Sequence, residues 1–265
     1  VSEPRVLLRG VRKRFGSTIA LAGVDLQARA GEVHAVLGEN GAGKSTLMNV
    51  LAGVVAPDDG AVLLDGSPWK PRGPADARTR GFAMVHQELA LCPHLDVAAN
   101  VVLGIEPSRL GVMQGRAIEA LVRPALAQAF GQRAIDPRAR IADLSTAACQ
   151  LVEIARALAS AHASGETLRL LVLDEPTSSL GGADTERLLS LVRELADRGT
   201  TVLYVTHVLE EVSRVAHRFT VLRDGATVGA GDTSSTSIDA IIRMMAGRDI
   251  VSAYPHSARA PGEVV

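Results

Sequence analysis

The stretch GENGAGKST, Gly38 to Thr46, limits the architecture of this 265-residue chain more than any other. It is a complete GxxxxGK[ST] loop, with an apolar run before it (EVHAVL, 32–37) and a helix-forming run after it. Glycines let successive backbone N–H groups curl around phosphate oxygens, an approach that a Cβ would obstruct. Gly38, Asn40, Gly41, Ala42 and Gly43 are therefore expected to form a backbone cradle. Lys44 brings a positive charge to β- and γ-phosphates, and the Ser45 hydroxyl, followed by Thr46, is a ligand for Mg²⁺. A helix starting near Lys44 aims the positive end of its dipole at the same anion.

Around this loop, short apolar runs alternate with helical patterns, which predicts an α/β fold with a mainly parallel sheet. The clearest strands are 32–37, 82–86 (FAMVH), 168–173 (LRLLVL) and 201–206 (TVLYVT). Two Asp-Gly pairs, Asp65-Gly66 and Asp224-Gly225, lie between β-rich stretches and predict hairpin turns. They point to an antiparallel β layer beside the parallel core. From about 92 to 162 alanine and leucine dominate, strand signals fade, and Leu151, Ile154, Ala155 and Leu158 fall at helical spacing. This predicts a helical subdomain inserted in a core that runs from 1 to 247, with 135–140 as a loop inside it. A further helix is expected over 185–198, ended by Gly199. Residues 248–265, irregular and polar, read as a linker or tail.

The second chemical signal is LRLLVLDEPTSSL, 168–180. Two adjacent carboxylates at the end of an apolar strand are costly unless something uses them. Asp174 is placed to hold Mg²⁺ through water, the usual complement of the loop hydroxyl. Glu175 then faces the γ-phosphate and can polarise an attacking water as general base.

The bulk numbers remove other classes. The formal net charge is −1, with 28 basic and 29 acidic residues, which speaks against a nucleic-acid partner. The local run Arg5, Arg9, Arg12, Lys13 and Arg14 reads as a solvated strand face. Cys92 and Cys149 form no metal-ligand spacing and are expected as free thiols. No apolar run approaches 18 residues, so any membrane role is expected to come through a partner. Trp69, Met244 and Met245 read as packing residues, and His34, His86, His94, His162, His217 and His256 as structural or surface.

Together these motifs resemble the ABC (ATP-binding cassette) ATPase family, and further motifs fall in that family's order. The resemblance implies ATP and Mg²⁺ as cofactors. Gln87, in MVHQEL, matches the glutamine that touches Mg²⁺ and faces the transmembrane partner; His207, in YVTHVLEE, matches the histidine that contacts the γ-phosphate. Phe15 matches the aromatic that stacks on adenine, and 176–181 matches the loop that crosses to the opposite nucleotide domain. The resemblance thus implies Glu175, His207, Gln87 and Lys44 as catalytic residues and Ser45, Gln87 and Asp174 as metal-binding. The family's LSGGQ loop, which completes a partner's ATP site, corresponds here to LSTAACQ. Ser145 is kept, but Ala147 and Ala148 replace the usual Gly and Gln. A methyl at 147 would hinder close approach if that backbone needed a glycine-type conformation.

Stretches from about Val6 to His256 are similar to the first nucleotide domain of two-domain ATPases in ribose- and galactose-type sugar importers. That likeness implies a bacterial importer for a monosaccharide and a location on the cytoplasmic face of the membrane. Its partners would be transmembrane permease subunits, a second ABC domain in the same chain or a dimer mate, and, indirectly, a periplasmic or extracellular sugar-binding protein. The chain opens with Val1 and stops where a linker would run, as expected of an excised N-terminal domain. Two alternatives stay open: an ABC module that binds nucleotide with little hydrolysis, and an ABC ATPase outside transport. A P-loop small-molecule kinase fits less well, because His follows DEPT in the ABC order.

Overall fold

The run before the phosphate loop is buried at every position, because sheet neighbours flank it and helices cover both its faces. The computed structural model describes residues 3–109, 112–131 and 135–247. The expected tail, 248–265, lies outside the described residues.

The chain begins with a long antiparallel pair, β1 (Pro4–Phe15) and β2 (Thr18–Arg29), followed by β3 (Val33–Leu37) and α1 (Lys44–Leu51). A second hairpin, β4 (Asp59–Leu64) and β5 (Ser67–Pro68), precedes α2 (Pro74–Thr79) and β6 (Phe82–Val85). The helical stretch holds α3 (Val97–Val102), the small pair β7 (Ser108–Arg109) and β8 (Val112–Met113), α4 (Gly115–Phe130) and α5 (Thr146–Ala163). Then come β9 (Leu170–Asp174), α6 (Gly182–Asp197), β10 (Thr201–Val205) and α7 (Leu209–Val215). The hairpin β11 (Arg218–Arg223) and β12 (Ala226–Asp232) leads to α8 (Ile238–Ala246).

Ten of the described strands form one sheet in the order β5-β4-β1-β2-β12-β11-β3-β10-β9-β6. Strands β11, β3, β10, β9 and β6 run parallel, so the chain returns through helices between most of them. Strands β2, β1, β4 and β5 are antiparallel. In the sheet ladder the expected separate layer meets the core through one residue pair, Ala226 with Gly23, and Thr227 bonds the backbone of Asp25 beside it. Both Asp-Gly turns are present, with positive φ at Asp65, Gly66, Asp224 and Gly225, as a two-residue hairpin turn requires.

Some expected boundaries move. Strand β9 starts at Leu170 and runs to Asp174, because the carbonyl of Leu168 accepts from the Thr200 hydroxyl instead of a ladder partner. Helix α6 starts three residues earlier than expected. The helical stretch does contain strands, the β7–β8 pair. Val112 and Met113 are exposed there, so no alternation of buried and exposed residues marks them.

Helix α5 packs its apolar face against α3, α4 and the sheet, burying Leu151, Ile154, Ala155 and Leu158. Helix α1 buries Leu47, Met48 and Leu51 beneath the antiparallel strands, beside Val11, Leu21 and Val24. Each such buried side chain contributes about 1.5–3 kcal/mol against its exposed state. Trp69 is buried with its indole N–H donating to the Leu51 carbonyl, and Met244 and Met245 pack against the β11 cluster. Of the basic run on β1, Arg5 pairs with Asp65 and Lys13 with Asp58, while Arg9, Arg12 and Arg14 face solvent. Both cysteines are free thiols. Among the described residues no helix is long and apolar enough to cross a membrane.

Candidate active site

The loop after β3 is wedged between two strands. Gly38 has φ 155°, and a Cβ there would stand 2.4 Å from the Leu222 carbonyl oxygen in β11. Gly43 has φ 101°, and a Cβ there would stand 2.8 Å from the Ala20 oxygen in β2. No other residue fits either place without moving a strand. The loop turns on itself through Ala42 N–H to the Glu39 carbonyl (3.2 Å), and Leu47 N–H bonds back to Gly43 (2.9 Å). The backbone N–H groups of Gly41, Gly43, Lys44 and Ser45 find no acceptor among the described residues. Those orphan donors at the start of α1 make an anion-binding cradle.

Lys44 is buried, and its ammonium donates to the carbonyls of Gly38 (2.7 Å) and Glu39 (3.0 Å). That arrangement holds the side chain across the loop and leaves a third donor for a phosphate oxygen. Burial pushes its pKa down, and the carboxylates of Glu175 and Asp174 pull it back only in part. Ser45 and Asn40 are exposed at the mouth, and Ala42 and Thr46 sit within the turn and the first helical turn.

Asp174 closes β9 beside Val205 of β10, and its pKa is raised by burial and then by the neighbouring charge of Glu175, with His86 and Lys44 opposing. Glu175 has φ 46°, a left-handed conformation that costs a non-glycine residue about 1 kcal/mol or more. Its N–H donates to the Val205 carbonyl at 2.8 Å, which anchors this turn to the next strand. The turn brings its carboxylate Oε1 to 3.1 Å from His207 Nδ1. Gln87 is exposed two residues past β6, which pairs with β9, so it occupies the same rim of the sheet as Asp174. Among the described residues, no three His, Cys, Asp or Glu side chains are grouped to hold a metal by themselves. A cation here would need phosphate oxygens and water beside Ser45 and Asp174, the usual habit of Mg²⁺.

Phe15 ends β1 with half its surface exposed and the Lys13 ammonium 5.6 Å from its ring centre. An exposed ring at the hairpin tip is not core, and the β2 residue Ala20 links that tip to the phosphate loop.

A family model for the ABC transporter matches residues 21–178, a span that includes both the cradle and the Asp174–Glu175 turn. The chain belongs to the ABC transporter family. Ribose import ATP-binding protein RbsA 1 of Rubrobacter xylanophilus is 44% identical over 263 residues, covering 99% of this chain and 51% of that protein. The putative ribose/galactose/methyl galactoside import ATP-binding protein 1 of Burkholderia ambifaria is 44% identical over 258 residues, covering 97% and 48%. The chain thus spans about half the length of the curated relatives it matches. A nucleotide-free ATP-binding cassette from an ABC transporter superposes with TM-score 0.78 at 23% identity, covering 94% of this chain and 98% of that one. A dimeric cassette, MJ0796 bound to ADP and phosphate, gives TM-score 0.71 at 27% identity, covering 86% and 98%. The fold is the ABC ATPase fold.

In this ABC chain the degenerate LSTAACQ loop borders a cavity with Phe130, Leu180 and Asp184. Ser145 caps α5, its hydroxyl accepting from Ala148 N–H at 3.2 Å. Ala147 lies in the first turn of α5 with no positive φ, so its backbone has no need of glycine. The steric objection to a methyl at 147 therefore falls on the conformational count. Several residues without a motif of their own stand near this site. His86, expected to be structural or surface, stands where its charge opposes the rise in the Asp174 pKa. Buried Gln150 donates through Nε2 to the Pro176 carbonyl. Glu211 is buried with Val212 and Val215 on α7, and a carboxylate on an apolar stripe is a signal that could have exposed it.

Proposed function

We propose that this chain is the ATP-binding and ATP-hydrolysing part of a bacterial ABC importer for a monosaccharide. The observation that carries it is the Glu175–His207 contact at the rim that also bears Asp174, the phosphate cradle and buried Lys44. The names of the relatives, import ATP-binding proteins for ribose or galactosides, support the cargo class.

In this reading residues 1–247 form one nucleotide-binding domain. Phe15 stacks on adenine, and Gly38, Asn40, Gly41, Ala42, Gly43 and Thr46 wrap the phosphates with backbone. Ser45 and Asp174, with Gln87 on the same rim, are the residues that would hold Mg²⁺, which supplies charge neutralisation on the phosphates. Lys44 steadies the charge that develops on the β- and γ-oxygens. Glu175 takes a proton from water as the water oxygen bonds to the γ-phosphorus and the bridging bond to ADP breaks. His207 orients that carboxylate and contacts the γ-phosphate. Ser145 would serve the ATP site of a second ABC domain.

The cleft bordered by Val54, Met84, His86, Leu103 and Arg156, next to Gln87, is apolar with a charged edge. It suits a helix presented by a permease subunit on the cytoplasmic face, where a sugar-binding protein would act only through that permease.

A second reading, a module that holds nucleotide with little turnover, is favoured by the engaged Ser145 hydroxyl and the alanines after it. Glu175→Gln in the assembled transporter separates the two. Phosphate release should fall at least about a hundredfold while ATP stays bound. Undiminished release would remove Glu175 as the base.

A further inference from the structure

The turn that carries Glu175 and the segment that carries His207 are tied together from behind by one buried carboxylate. Glu211, four residues after His207, is buried in α7. Its Oε2 accepts from the Thr177 hydroxyl at 2.9 Å and from the Tyr204 hydroxyl at 2.8 Å. Thr177 is itself buried, two residues after Glu175, and its carbonyl accepts from Leu180 N–H at 3.0 Å. Tyr204 is fully buried in β10, the strand that leads into His207. Between Glu175 and Thr177, the Pro176 carbonyl accepts from Gln150 of α5.

A buried carboxylate is expensive unless fully bonded, and here both of its donors come from segments that bear reacting groups. Packing alone would be served by an apolar residue at 211, as at its neighbours Val212 and Val215. We infer that Thr177 and Glu211 are positioning residues for hydrolysis, holding the Glu175 carboxylate against His207 through the Thr177–Glu211–Tyr204 hydrogen bonds. The inference rests on the reading of Glu175 as base. Glu175 sits in a left-handed conformation that relaxes unless its surroundings hold it. The Thr177 bond fixes the chain two residues beyond that strained point, and the Val205 carbonyl fixes it at the Glu175 N–H.

The test uses the assembled transporter and compares Thr177→Val, Thr177→Ser, Glu211→Gln and Glu175→Gln. Thr177→Val keeps the shape and the Tyr204–Glu211 bond but cuts the tie to the Glu175 turn. It should lower kcat about tenfold to a hundredfold with KM for ATP within about twofold, since a small misplacement of a reacting group has that effect. Thr177→Ser should restore kcat, and Glu211→Gln, which keeps an acceptor oxygen, should stay within about threefold of the parent. A Thr177→Val protein with the parent's kcat, beside an inactive Glu175→Gln, would overturn the positioning role and leave the base intact. Loss in Thr177→Val that raises KM equally, or that Ser fails to restore, would also overturn it. A fully active Glu175→Gln would remove the base reading and this inference together.

Discussion

His207 Nδ1 stands 3.1 Å from Glu175 Oε1, although 32 residues separate them in the chain. Parallel pairing of β9 with β10 ends both strands at the same rim, and the left-handed turn at Glu175 swings its carboxylate toward the next strand's loop. The imidazole is more exposed than the carboxylate, so it can reach a ligand while holding the Glu175 side chain. His207→Ala should therefore lower phosphate release about a hundredfold and leave ATP affinity nearly unchanged. Steady-state turnover and calorimetry on the same preparation check both halves.

Lys44→Ala removes the buried ammonium that spans the loop from Gly38 and Glu39. Charge-assisted contacts to phosphate are worth about 1.5–3 kcal/mol, so the affinity for Mg-ATP should fall roughly tenfold to a hundredfold. Calorimetric titration with equal affinities for parent and variant would remove Lys44 from phosphate binding.

Gly38→Ala and Gly41→Ala should differ sharply. A Cβ at Gly38 meets a β-strand carbonyl at 2.4 Å, whereas at Gly41 nothing lies within 4 Å and only φ 84° opposes the change. Gly38→Ala should abolish nucleotide binding and lower the melting temperature. Gly41→Ala should cost only about 1 kcal/mol of stability. Thermal melts and nucleotide titrations of the two variants decide this.

Acid should attack the core at Glu32. Burial raises its pKa, but the hydrogen bond and charge of His34, the Arg29 N–H and the charge of Arg218 more than reverse that, and the net shift is downward. A carboxylate with a lowered folded pKa adds stability above its unfolded pKa, near 4.5, and loses it as pH falls through the folded value. His34 also bonds the Thr220 hydroxyl at 2.8 Å, so the network crosses from β3 to β11. Glu32→Gln should flatten the fall in stability below about pH 4.5, measured by urea melts across pH.

Ala147→Gly with Ala148→Gln tests the degenerate loop. Because Ala147 is helical, glycine there should weaken α5 by about 1 kcal/mol while freeing no special conformation. In an assembly with a second ABC domain, total ATPase activity should change little if, as proposed, the site built on Lys44 and Glu175 borrows the other domain's loop. This chain alone should hydrolyse slowly in either form. Turnover of this chain by itself equal to that of the assembly with a second ABC domain would overturn this expectation.

The phosphate loop, the Asp174–Glu175 pair and the parallel strands around them were legible from the chain alone. Each depends on neighbours in sequence: glycine spacing, an apolar run, an Asp-Gly turn, carboxylates at a strand's end. The ABC resemblance also put Gln87, His207 and Phe15 on the list by their order. Order cannot say how far apart side chains stand, and the Glu175–His207 distance had to come from strand pairing. The single-pair seam between the antiparallel and parallel strands and the exposed β7–β8 pair were also decided in three dimensions, since neither leaves a periodic signal. The same holds for the helical backbone at Ala147, which the chain left conditional on a glycine-type conformation. Glu211 interrupts an apolar stripe that the chain does show, but the partners of Glu211, Thr177 and Gln150 belong wholly to the tertiary structure. Their meaning lies in hydrogen bonds across 34 and 26 residues, and a local pattern cannot show which buried polar group will find which partner.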